Sequence, residues 1–154
     1  MDKNILLITF IFMIESITIL VAVDVSECSK VEAPKPVHVD IKGCTEEPCL
    51  LPSGQNAIMD LTFVVPNNSD ILWAKVNPIV FGIEGVFELP DPNVCNGLLN
   101  GYCPVDQNEL LTYRLEMPVL KSYPQISLSI KLSIEDENRK KISCFVVKCK
   151  VVKE

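Results

Sequence analysis

A chain of 154 residues with seven cysteines, one histidine and a net charge of −6 has room for one domain and hardly for two. The acidic balance argues against a nucleic-acid partner, and equally against an electrostatic dock on anionic membrane. A single imidazole leaves little material for metal ligation or general-base chemistry.

The first 23 residues read as a secretory leader, which places the domain at residues 24–154. Lys3 gives a thin positive start, and residues 5–14 (ILLITFIFMI) form an apolar run of suitable length. Glu15 interrupts it, and ITILVAV (17–23) then leads to a small-residue cleavage point near Ala22 or Val23. A membrane anchor over residues 5–23 is the competing reading, but it would hold Glu15 near mid-bilayer at a cost of roughly 2–3 kcal/mol. With the leader removed the protein is expected to be secreted, with a lysosomal lumen as the other address.

Alternation of period two organises the remainder. Val37, Val39 and Ile41 alternate with His38, Asp40 and Lys42 in a first strand ending at Gly43. After the turn Pro52-Ser53-Gly54, Ala57, Met59, Leu61, Phe63 and Val65 share one face of a strand over residues 56–65. The turn at 66–70 holds the one sequon, Asn67-Asn68-Ser69, which marks Asn67 as a glycosylation candidate on an exposed loop. Residues 71–76 and 79–83 read as two strands divided by Asn77-Pro78. Pro90 and Pro92 then rule out a central strand in GVFELPDPNVC (85–95). Leu111, Tyr113, Leu115 and Met117 are in phase on a strand over 110–117.

The most regular stretch follows. Ile126, Leu128, Ile130, Leu132 and Ile134 alternate without a break against Ser127, Ser129, Lys131 and Ser133. EDENRK (135–140) reads as a polar hairpin loop into a last strand over 141–152. No segment has sustained helical periodicity. Six to seven short strands separated by turn signals point to an all-β sandwich.

In a secreted chain the cysteines read as a disulfide framework. Zinc is disfavoured because Cys-x-x-Cys is absent. Cys44 with Cys49, and Cys95 with Cys103, bracket short turn-forming loops that close cheaply. Of Cys28, Cys144 and Cys149, one must remain unpaired within the chain. Cys149 is in phase with Phe145, Val147 and Val151, whereas Cys144 is in phase with Lys148 and Lys150. Cys28–Cys144 is therefore the favoured pair, with Cys149 a buried small hydrophobe; Cys28–Cys149 or an intermolecular bond are the alternatives.

Nothing assembles into a catalytic set. His38 lies in phase with Asp40 and Lys42 on a polar face, and the acidic clusters (Glu46, Glu47; 135–137) sit in loops. No nucleophile has a base beside it, and there is no glycine-rich phosphate loop. The chain is expected to be no enzyme, with no cofactor and no metal. Trp73 invites an immunoglobulin reading, but Cys49 and Cys95 pair better with near neighbours.

Taken in order, CTEEPC with the following L-x-x-G (44–54), GVFELPDPNVC (85–95), CP (103–104), MPVLKSYP (117–124) and KISCFVV (141–147) resemble the secreted Niemann–Pick type C2 proteins of the ML lipid-recognition family. The resemblance covers about residues 37–151. It implies an immunoglobulin-like β-sandwich of about seven strands with a lipid cavity between its two sheets. It also implies the disulfides Cys28–Cys144, Cys44–Cys49 and Cys95–Cys103. The family's gating aromatic falls on Phe87, its partners across the mouth on Val119 and Tyr123, and its entrance proline on Pro118. Leu61, Phe63, Leu128 and Ile130 are expected as walls.

Two departures stand near the mouth. Glu88 takes a place where vertebrate relatives have proline, and the Cys95–Cys103 loop is longer than theirs. The resemblance therefore implies a monomeric carrier of a sterol or a long-chain fatty acid or semiochemical, of the invertebrate-like branch, passing its cargo to a membrane lipid acceptor or transporter. A module recognising bacterial lipids is the alternative; it would want cations at the mouth, where Lys121 stands near.

Overall fold

The computed structural model describes residues 23–28 and 33–154. The expected leader lies almost entirely outside the described residues. Its last residue, Val23, does not: Val23 is 4% exposed in the core and donates its N–H to the Val39 carbonyl at 3.3 Å. Val23 thus packs with the sandwich.

Among the described residues nine strands form two sheets: β1 (Ser26–Glu27), β2 (His38–Ile41), β3 (Cys49–Pro52), β4 (Asn56–Val64), β5 (Leu72–Val80), β6 (Ile83–Glu84), β7 (Leu110–Pro118), β8 (Ser127–Asp136) and β9 (Lys141–Val152). The larger sheet runs β1-β9-β8-β5-β6, with β3 also pairing with β9; the smaller runs β2-β4-β7. All pairings are antiparallel except β3 with β9. Alternating side chains from both inner faces meet in one core, the arrangement of a sandwich.

Two expectations about elements are corrected, and one strand was not foreseen. Residues 72–80 form one strand rather than two, although Pro78 sits inside it. Pro78 presents its carbonyl outward to the Gly85 N–H (2.8 Å), so its missing donor falls on that same outer side and the ladder to β8 is untouched. The loop over 135–140 is shorter than expected, because β8 continues to Asp136. Glu135 is buried against Lys75 (2.6 Å), and the Asp136 carboxylate accepts the N–H groups of Asn138 (2.9 Å) and Lys140 (2.8 Å) to close the turn. Finally β3, four residues ending in proline, carries no period of its own and is a strand because β9 offers it an edge.

The three expected disulfides are present: Cys28–Cys144, Cys44–Cys49 and Cys95–Cys103. Cys149 is free and buried, and burial pushes its thiol up to about 12. Trp73 lies on the outer face of the large sheet, partly exposed, so it does not play the part of an immunoglobulin core tryptophan.

An apolar cavity at one end of the sandwich

The sheets part at the end where β7 finishes and β8 begins, leaving a cavity of about 310 Å³. Its position follows from the strands taken layer by layer. On β5 the inward residues Val76, Pro78 and Val80 line it, while Ala74 below them is closed core. On β8 the lining is Leu128 and Ile130, with Ile126 just before the strand, and Leu132 is closed. On β7 the lining stops at Met117, and Leu115 is closed. Leu51 of β3 and Val151 of β9, level with Ile126, complete the lining. No charged side chain contributes, and Tyr123 supplies the one side-chain hydroxyl in the lining.

The mouth is held by backbone hydrogen bonds rather than by the sheets. Phe87 reaches the cavity because its N–H binds the Val76 carbonyl (3.0 Å), while Asn77 Nδ2 holds the Gly85 carbonyl at 2.8 Å. Opposite, Val119 is clamped twice to the β3–β4 turn: its N–H donates to the Gln55 carbonyl (2.9 Å) and its carbonyl accepts from Gly54 (2.6 Å). A turn closed by the Tyr123 N–H on the Leu120 carbonyl (3.0 Å) then sets Tyr123 at the rim. Gly54 is required here, with φ +90° and the stem of Lys121 lying where a Cβ would stand, 2.7 Å from Lys121 Cε. Prolines at 118 and 124 stiffen this side.

Of the expected ligand residues, Phe87, Pro118, Val119, Tyr123, Leu128 and Ile130 come together around this one space. Leu61 and Phe63 do not. They are buried on β4 opposite Tyr113 and Leu111, two and three inward steps below Met117, in core that is already filled. Alternation had put them on the correct face, but period two carries no information about depth along a strand. Met117 and Val151 were missed as lining for the complementary reason, since each ends a run that reads as ordinary core, and Leu51 because β3 has no period to place it. Asn67 is exposed, and Ser69 beside it is bridged to Val105.

Among the described residues no group of three His, Cys, Asp or Glu side chains is placed to hold a metal ion. His38 is half-buried on the outer face of the small sheet, paired across to Thr62. Tyr113, whose hydroxyl is pushed up to about 12 by burial and then by Asp91, belongs to the core below the cavity.

A two-sheet sandwich whose interior opens as a pocket with apolar walls belongs to the class of folds that enclose hydrophobic ligands. The ML-domain sequence profile matches residues 22–151, and the chain belongs to the ML-domain family. A fruit-fly (Drosophila melanogaster) relative called NPC intracellular cholesterol transporter 2 homolog a is 29% identical over 134 residues, 84% of this chain and 88% of its own. The mouse (Mus musculus) NPC intracellular cholesterol transporter 2 is 29% identical over 110 residues, 71% of this chain and 72% of its own. The crystal structure of a Niemann–Pick type C2 protein from the Japanese carpenter ant superposes with a TM-score of 0.74 at 22% identity, covering 84% of this chain and 99% of the other.

Proposed function

We propose that the protein is a secreted, non-enzymatic carrier that holds one small lipid, a sterol or a long-chain fatty acid, and releases it at the mouth. The observation that carries this reading is the cavity of about 310 Å³ with apolar walls and an open end. Each methylene moved from water into such a space is worth about 0.8 kcal/mol, so a chain or ring system binds without many polar contacts. A polar head group stays outside, because nothing charged lines the interior. The family's cholesterol-transporter relatives support the same class of cargo.

The rim favours delivery to a lipid surface. Phe81 at the β5–β6 tip is 91% exposed, Ile83 76% and Val86 75%, and Leu120 and Tyr123 are partly exposed on the opposite side. Such apolar groups, unpaid for by burial in the free protein, suit contact with a membrane acceptor or a transporter while the cargo leaves. Removal of the leader between Ala22 and Val23 accords with the place of Val23 in the core. A glycan on Asn67 would stand beyond the Leu110 end of β7, at the pole away from the mouth, and leave it clear.

Native mass spectrometry of the purified protein tests the carrier reading. A co-purifying lipid, or uptake of added cholesterol or oleate in one-to-one ratio, is expected. Recovery of no lipid together with no uptake would overturn it.

A further inference from the structure

The floor of the cavity is a staggered layer of side chains, with Val76 one step deeper than Ile130, since Val76 pairs with Leu132 and Pro78 with Ile130. Val76 of β5, Ile130 of β8 and Met117 of β7 are the last lining residues of their strands, all 5% exposed or less. One inward step below each, Ala74, Leu132 and Leu115 are packed core. The layer is unequal in stiffness. Val76 and Ile130 are β-branched and restricted at their first torsion, and both stand on the large sheet. Met117 faces them from the small sheet as the one unbranched, polarisable side chain in the layer, with three rotatable bonds beyond its backbone. Its register partner on β4, Ala57, is small.

From this layer we infer that Met117 is the length ruler of the site, setting how many carbons of a ligand chain the cavity admits. The inference rests on the carrier reading and deepens it. A chain entering past Phe87 and Tyr123 runs along Leu128 and ends on the Met117 side chain. Binding then gains about fourfold per methylene, the equivalent of about 0.8 kcal/mol for each CH₂, only until the terminal methyl meets Met117. Beyond that length an added methylene stays outside and gains nothing.

The test is a binding series with saturated straight-chain fatty acids that differ by one methylene, read by displacement of a fluorescent probe. It is run on the wild type, on Met117→Ala and on Met117→Phe. Affinity in the wild type is expected to climb with chain length and then level off. Met117→Ala removes Cγ, Sδ and Cε, and the levelling-off should move to chains longer by about three carbons. Met117→Phe fills the floor and should move it to shorter chains, so the two variants shift in opposite directions. The Phe variant keeps the test open if the cavity made by alanine loosens the fold. A levelling-off at one common length in all three proteins, with every affinity changed alike, would overturn the ruler and leave the carrier standing. A wild type that takes up none of the acids would overturn both.

Discussion

Truncation of Phe87 to alanine separates a gate from a core cap. Full burial of a phenylalanine side chain is worth roughly 1.5–3 kcal/mol. Phe87 is half-buried in the empty protein, so half of that, about 0.8–1.5 kcal/mol, is left to be gained when a ligand covers it. Binding should therefore weaken about four- to tenfold. The fold should lose only about 1–2 kcal/mol, against about 3–5 for a fully buried phenylalanine, because its backbone bond to Val76 survives the truncation. Leu132→Ala is the control: 1% exposed and one inward step beyond Ile130 on β8, it should cost about 2–5 kcal/mol and leave the mouth intact. Probe-displacement titrations give the affinities, and urea unfolding of the lipid-free proteins gives the stabilities. If Phe87→Ala bound normally and unfolded several kcal/mol more easily, Phe87 would be a core cap and the gate would be lost.

The free thiol makes a prediction about alkali. Cys149 has its folded pKa raised by burial from 9.0 to about 12, so the stability tied to its neutral form is complete below pH 9 and is lost as pH rises towards 12. Cys149→Ala should flatten the fall in stability over that range, and an unchanged slope would refute the assignment; native Cys149 should also resist maleimide at neutral pH. Lys75→Met leaves the Glu135 carboxylate buried without its cation. Since Lys75 is itself about half exposed, the cost should be only about 1–2 kcal/mol, and Lys75→Met/Glu135→Gln together should cost less than the sum of the two single changes; strict additivity in chemical denaturation would contradict the coupling. Protein secreted from eukaryotic cells should begin at Val23, and Asn67→Gln should remove one glycan mass with no loss of folding; an intact-mass spectrum starting at Asp24 or later would contradict the first, and one unchanged by Asn67→Gln the second.

Alternation alone was enough to place β4, β7, β8 and β9, because a strand with one buried face must repeat every two residues whatever it packs against. It also separated Cys149 from Cys144, since residues an odd number apart on a strand face opposite ways, and both cysteines stand as that parity requires. Local chemistry fixed the short disulfide loops and the proline-braced entry at 117–124 in the same way. Sequence could not supply what depends on neighbours distant in the chain. Pro78 continues a strand because its missing N–H happens to face outward, which only the pairing with β8 and Gly85 decides. The four residues of β3 become a strand because the edge of β9 is there to receive them. The same limit governed the site: Leu61 and Leu128 read alike as inward aliphatic residues, yet Leu61 is sealed in core and Leu128 lines the cavity. Periodicity determines which face a side chain takes. How far the two sheets have parted at its level is set by tertiary packing, and that separation turns a hydrophobic residue into either core or wall.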